Sequence, residues 1–170
     1  MKKEIRRHAL KRRNNLPEDT RKEYDRKICE KVRPFLSGRV MSYRAIGSEP
    51  DLSCLDPGGS FAYPIVLDEI TIEARIPEEW SAGPYGIAEP SKGTPVDPKD
   101  LDVILVPLVA FDEALHRLGH GKGYYDRFLQ KTQALKIGIA YEVQKEKDIP
   151  VTDEDVPMDL IITEETVYWK

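Results

Sequence analysis

The stretch richest in usable chemistry is Arg117-Leu118-Gly119-His120-Gly121-Lys122-Gly123-Tyr124-Tyr125-Asp126. Glycines at three alternate positions let the backbone come close to a ligand and aim several N–H groups one way. A helix predicted to begin just beyond them turns the positive end of its dipole to the same spot. Arg117 and Lys122 add full charges whose N–H groups suit phosphate oxygens. Together these residues describe an anion cradle and predict binding of a nucleotide phosphate. Two common phosphate motifs do not fit: there is no GxxxxGK[ST] stretch, and the third glycine falls one residue early for GxGxxG. Glycines alone would equally describe a tight strand-to-helix turn; the two cations inside the turn favour the cradle.

Such a turn needs a strand before it and a helix after it. Residues 101–109 form a nearly continuous apolar run, the pattern of a strand covered on both faces in a parallel sheet. Residues 124–132 read as helix and 136–141 as the next strand, which makes a βαβ unit. Upstream, Val40, Met41 and Tyr43 read as a short strand and 61–67 as another. Residues 70–76 alternate apolar and polar, as a half-exposed strand does, and 160–163 are the last strand. The region 77–100, with Pro84, Pro90, Pro95 and Pro98, reads as a connecting loop. Two helices open the chain. The first is basic, with seven Lys or Arg in 13 residues against Glu4, and only Ile5 and Leu10 as an apolar face. The second starts at Pro17-Glu18-Asp19 and carries Tyr24, Ile28, Val32 and Phe35 on one side, ending by Pro34 to Gly38. The expected fold is a single three-layer α/β domain over residues 1–170 with a mainly parallel central sheet.

Composition narrows the function classes. A net charge of -4 and a basic helix without interleaved aromatic residues speak against a nucleic-acid partner. The apolar stretch 103–110 contains Pro107 and falls far short of the roughly 20 residues that span a membrane. The N-terminus is charged from Lys2 onward and has no apolar leader stretch, so a cytoplasmic protein without a membrane partner is expected. Cys29 and Cys54 are too few for a disulfide framework and are expected as two ordinary thiols.

The cradle RLGHGKGYYD, placed after DLDVILVPLVAFD, resembles the signature of the 5-formyltetrahydrofolate cyclo-ligase family, the methenyltetrahydrofolate synthetases. Matches in the same order elsewhere are Lys3-x-x-x-Arg7, Ser48-Glu49-Pro50-Asp51, Gly86-Ile87-Ala88-Glu89-Pro90, and Pro150-Val151 through Asp155-Val156-Pro157-Met158-Asp159. The resemblance thus covers almost the whole chain. It implies a fold like those of sugar isomerases and CoA transferases, and a reaction coupling ATP to ring closure. In that reaction the formyl oxygen of 5-formyltetrahydrofolate takes the γ-phosphoryl group, N10 attacks the activated carbon, and phosphate leaves. The products are 5,10-methenyltetrahydrofolate, ADP and phosphate.

The resemblance also implies residue roles. Lys3, Arg7, Arg117, Gly119, His120, Gly121, Lys122, Gly123, Tyr124 and Tyr125 would bind ATP, with Lys122 and Arg117 catalytic. Asp126 and Asp155 would hold Mg²⁺, which commonly takes only one or two protein carboxylates. Glu49 would face the pterin and Tyr124 would border both ligands. The chain departs from the family mainly near the substrate. It has Ser48-Glu49-Pro50-Asp51-Leu52 where Gly-Glu-Val-Asp-Thr is usual, Glu154-Asp155 where His-Asp is common, and no basic residue just after Pro64. Two alternatives stay open: a nucleotide-binding module of the same fold without ligase activity, and a ligase for another formyl pterin. Glu49 separates the first from the enzyme, since a pure nucleotide binder needs no carboxylate outside the cradle.

Overall fold

A computed structural model describes residues 1–170, apart from the side chain of Tyr85. The chain runs α1 (Lys2–Asn14), α2 (Glu18–Val32), β1 (Val40–Met41), β2 (Tyr63–Val66), β3 (Ile72–Ala82), β4 (Ala88–Val96), β5 (Val103–Pro107), β6 (Ala110–Phe111), β7 (Arg117–Leu118), α3 (Tyr124–Leu129), β8 (Leu135–Ile139), β9 (Leu160–Ile162) and β10 (Val167–Trp169). The central sheet has the order β1-β5-β8-β9-β10. Its first four strands are parallel, and β10 closes one edge antiparallel to β9.

Because side chains alternate across a strand, β5 serves two cores at once. Val103 and Leu105 join Ile137 and Ile139 under Ile28 and Val32 of α2. Ile104 and Val106 face the other way, against Phe128 and Leu129 of α3 and Ile72 and Ala74 of β3. Each such side chain, fully withdrawn from water, contributes about 1.5–3 kcal/mol. The outcome is three layers: α2, the parallel sheet, and a mixed layer of α3 with the antiparallel sheet β2-β3-β4. The mainly parallel α/β architecture read from the sequence is therefore observed. Among the described residues no helix is long and apolar enough to cross a membrane.

Several expectations need correction. Residues 77–100 are not a loop: β3 continues to Ala82 and returns as β4. The prolines deceive because β4 is an edge strand, where a missing N–H costs little, and Pro77 of β3 stands where the register shifts. The helix expected over 124–132 ends at Leu129. Strand β10 was not expected at all. Cys29 and Cys54 are not separate thiols; they are joined, linking α2 to the turn Ser53–Leu55. They meet because the Ile28–Val32 face of α2 packs on Leu52 and Leu55.

Candidate active site

A cleft of about 520 Å³ opens where Tyr43 and Arg44 follow β1 and where β5 ends at Pro107. Both lie at the carboxyl ends of parallel strands, where open α/β sheets hold their ligands. The β6–β7 hairpin carries Arg117 to this place: Ala110 pairs with Leu118 and Phe111 with Arg117. The turn 119–123 then leads directly into α3, and all five of its residues line the cleft with Tyr124, Tyr125 and Asp126.

Arginines brace this turn from three sides. The buried Arg117 donates from Nε to the Pro107 carbonyl (3.0 Å), lies 3.6 Å from the Asp126 carboxylate, and has its guanidinium 5.4 Å from the centre of the Tyr125 ring. A side chain at Gly119 would strike Arg117 Nη2 at 2.7 Å, so this glycine makes room for the guanidinium. Arg6 of α1 donates to the Gly119 carbonyl at 2.7 Å. Arg127 donates to the Lys122 carbonyl (2.6 Å) and to Ile70 O (2.5 Å). Gly123 enters α3 with φ +74°, the left-handed region that other residues adopt at a cost. Burial lowers the Arg117 pKa below its ordinary value, and Asp126, Tyr125, Asp155 and Glu49 oppose that shift, Asp126 most strongly. The guanidinium thus sits among the carboxylates that border the cleft. With only six residues in α3, few peptide dipoles add up behind the turn; its side-chain cations matter more than expected.

The expected pair Lys3 and Arg7 does not reach the cleft; Lys2 and Arg6 do. Helix phase explains the one-residue offset. Ile5 and Ala9 pack against Val109, Ala110, Leu118 and Ile149, which fixes the inward face of α1. At roughly 100° per residue, Lys2 and Arg6 flank that face while Lys3 and Arg7 lie nearly opposite it, in solvent. Lys3-x-x-x-Arg7 and Lys2-x-x-x-Arg6 have equal spacing, so only the position of Ile5 could have distinguished them.

Glu49 lies in the same cleft as the cradle although 70 residues separate it from Gly119. It is 5% exposed, and its Oε1 accepts from the Ile46 N–H at 2.9 Å. Gly47, at φ +57°, makes the turn that allows this. Its other oxygen stands 3.6 Å from Nε2 of His120, so His120 meets the carboxylate of Glu49 from the cradle side. Arg13 and Asn14 hold the neighbouring Ser48, Arg13 Nε donating at 2.9 Å. A buried carboxylate, oriented by a backbone N–H and facing a cavity, can accept from N–H groups of a heterocycle.

Asp126 and Asp155 both border the cleft. Asp126 Oδ1 accepts from the Val156 N–H (3.1 Å). Asp155 Oδ2 accepts from the Thr152 N–H (2.9 Å) and pairs with Lys2 Nζ (3.2 Å). Each thus has one oxygen fixed by the fold and a second that makes no hydrogen bond among the described residues. Asp126 and Asp155 are the residues that would hold Mg²⁺, a cation that commonly takes one or two carboxylates from the protein. No group of three or more His, Cys, Asp or Glu side chains able to hold a metal occurs among the described residues. Sequence reasoning did not single out Arg44, which lines the cleft with its guanidinium 4.3 Å from the centre of the Trp80 ring and 5.4 Å from that of Tyr63. Its signal was hidden because Trp80 lies in the region read as a loop.

The chain is similar to known proteins over most of its length. Residues 1–164 match the model of the 5-formyltetrahydrofolate cyclo-ligase family. The chain superposes on an Aquifex aeolicus 5,10-methenyltetrahydrofolate synthetase with a TM-score of 0.87 and 36% identity, covering 99% of this chain and 92% of that one. A Mycoplasma pneumoniae 5,10-methenyltetrahydrofolate synthetase gives a TM-score of 0.79 and 30% identity over 96% of this chain and 98% of that one. A 5-formyltetrahydrofolate cyclo-ligase of Mycoplasma genitalium is 48% identical over 69 residues, 39% of this chain and 41% of that protein. The first curated relatives are matched over about half of their length or less, between 41% and 52%. The chain belongs to the 5-formyltetrahydrofolate cyclo-ligase family.

Proposed function

We propose that this chain, acting as one domain, converts 5-formyltetrahydrofolate and ATP to 5,10-methenyltetrahydrofolate, ADP and phosphate. The observation that carries the proposal is the opening of Glu49 and the cradle 119–123 into one cleft. A nucleotide-binding module would need the cradle but not Glu49. Phosphoryl transfer to the formyl oxygen requires the pterin and the triphosphate side by side, and a single cleft lined by both Glu49 and the turn supports this reading.

In this reading Lys122, Lys2, Arg6 and the turn backbone hold the phosphates, and Arg117 fixes the shape of the turn. Transfer of a phosphoryl group is mostly positioning and charge neutralisation, which such donors supply. Asp126 and Asp155 would hold Mg²⁺, which when bound neutralises phosphate charge. Glu49 would accept from pterin N–H groups and so turn the formyl oxygen toward the cradle. His120, reaching from the turn toward Glu49, would close the gap between the two ligands. Tyr124 and Tyr125 form the wall that both share. Attack by N10 then releases phosphate carrying the former formyl oxygen.

The test is absorbance of the methenyl product formed from 5-formyltetrahydrofolate, with and without ATP. Product that needs both is expected. ATP binding without product from any 5-formyl pterin would leave the nucleotide-binding module as the better account.

A further inference from the structure

Five Lys or Arg side chains line the cleft: Lys2, Arg6, Arg44, Arg117 and Lys122. Four belong to the cradle or its supports. Lys2 pairs with Asp155, Arg6 donates to Gly119 O, Arg117 donates to Pro107 O, and Lys122 lies within the turn itself. Arg44 stands apart, on the side formed by the antiparallel sheet. Its guanidinium lies over the Trp80 ring and beside that of Tyr63, and it makes no hydrogen bond or ion pair with any described residue.

The two rings are built to be there. Tyr63 pairs with Arg75 of β3, five residues before Trp80, yet the ring centres of Tyr63 and Trp80 are 5.0 Å apart in an edge-on contact. Between Arg75 and Trp80 the register of β3 shifts twice, the kind of irregularity at which strands bend. Tyr63 is itself anchored, its hydroxyl donating to Asp56 at 2.9 Å. Nearby, Glu89 is occupied: its Oε2 accepts from the Val66 N–H at 3.1 Å, and the residue forms no ion pair with Arg44. Aromatic faces attract a cation without neutralising it, so the N–H edge of Arg44 keeps its capacity for a planar anion.

We infer that Arg44 is a specificity-determining residue that binds a carboxylate of the substrate's glutamyl group. The inference rests on the cyclo-ligase reading. With the formyl oxygen at the cradle and the pteridine at Glu49, the glutamyl end must leave past the remaining wall. That wall comprises Arg44, Ile46, Pro64, Ile87, Ala88 and Glu89, and Arg44 is its one cation. A guanidinium meets a carboxylate through two parallel N–H···O bonds, and the rings hold it ready, so little side-chain freedom is lost on binding.

The experiment compares 5-formyltetrahydrofolate with 5-formyltetrahydropteroate, which lacks the glutamyl group, in the wild type, Arg44→Ala and Arg44→Lys. It reads KM and kcat by product absorbance, and Kd by quenching of protein fluorescence. The wild type is expected to prefer the glutamyl compound by roughly tenfold or more in KM and Kd, as for one charge-assisted contact. Arg44→Ala should abolish that preference, and Arg44→Lys should restore part of it. A preference that persists in Arg44→Ala, or a wild type without one, would overturn the inference. Turnover of the pteroate by Arg44→Ala shows the variant to be folded. Binding without turnover in the wild type would contradict the cyclo-ligase reading while Kd still tests Arg44.

Discussion

The two sides of the cleft are built by different means. The cradle stands on the parallel sheet, behind a strand whose residues Val103 to Val106 are all buried. Its shape is held by backbone: glycines with positive φ, carbonyls that accept from arginines, and a hairpin only two residues wide on each strand. The opposite wall is an antiparallel sheet with edge prolines, bulges and many half-exposed residues, and side-chain rings hold its working cation. One side is shaped by backbone and the other by side-chain packing, and of the departures from the family pattern only the position after Pro64 lies on the antiparallel sheet.

Substitutions on the cradle side should have the largest effects. Arg117→Ala removes a buried guanidinium beside Asp126, so we expect about 3–5 kcal/mol of lost stability in urea unfolding. At least a hundredfold loss of ATP-dependent turnover should accompany it, of the order of 3 kcal/mol. Lys122→Ala touches an exposed side chain and should lower ATP-dependent turnover roughly ten- to hundredfold with unfolding unchanged. Wild-type ATP titrations for both variants would remove the cradle from the account.

The pterin side should respond separately. Glu49→Gln is expected to lower kcat/KM for the 5-formyl pterin on the order of tenfold while ATP affinity stays as in the wild type. Equal losses for both ligands would mean that Glu49 shapes the whole cleft instead. Between the two sides, Asp126→Asn and Asp155→Asn should each raise the Mg²⁺ concentration needed for half activity severalfold, with little change in volume. Unaltered Mg²⁺ dependence in both would make these carboxylates structural.

The smallest effect lies outside the cleft. Burial raises the Asp25 pKa from 3.8 to about 6, although its carboxylate accepts from Tyr141 OH at 2.6 Å. Between those values the folded chain keeps a proton that the unfolded chain has lost. Stability therefore falls as pH rises from about 4 to about 6 and does not recover above that. Asp25→Asn should stabilise the protein by about 1 kcal/mol at pH 8, discounted for the half-exposed site, and by nothing near pH 4. Urea unfolding at both pH values would show it; an identical difference at the two would contradict the titration.

Legibility followed the same division. Strand β5 could be read because continuous burial leaves a continuous apolar run, and the cradle because backbone geometry demands glycine. Glu49 came only from a resemblance, since a single carboxylate after a two-residue strand has no pattern of its own. Lys2 and Arg6, which line the cleft where Lys3 and Arg7 do not, could not be told from that pair because K-x-x-x-R occurs twice in overlapping register. The hairpin of β3 and β4 was lost for a physical reason: edge strands and bulges tolerate proline, and proline reads as loop. Arg44 vanished with it, its partners coming from two strands that long-range pairing alone brings together. The joined cysteines depend likewise on tertiary packing of α2.

Direct transfer of a phosphoryl group to the formyl oxygen in a shared cleft is most directly tested by labelling that oxygen. With 5-formyltetrahydrofolate carrying ¹⁸O in the formyl group, one turnover with unlabelled ATP should place the label in inorganic phosphate as methenyl product forms. Unlabelled phosphate, with the ¹⁸O found in water or formate, would contradict the account.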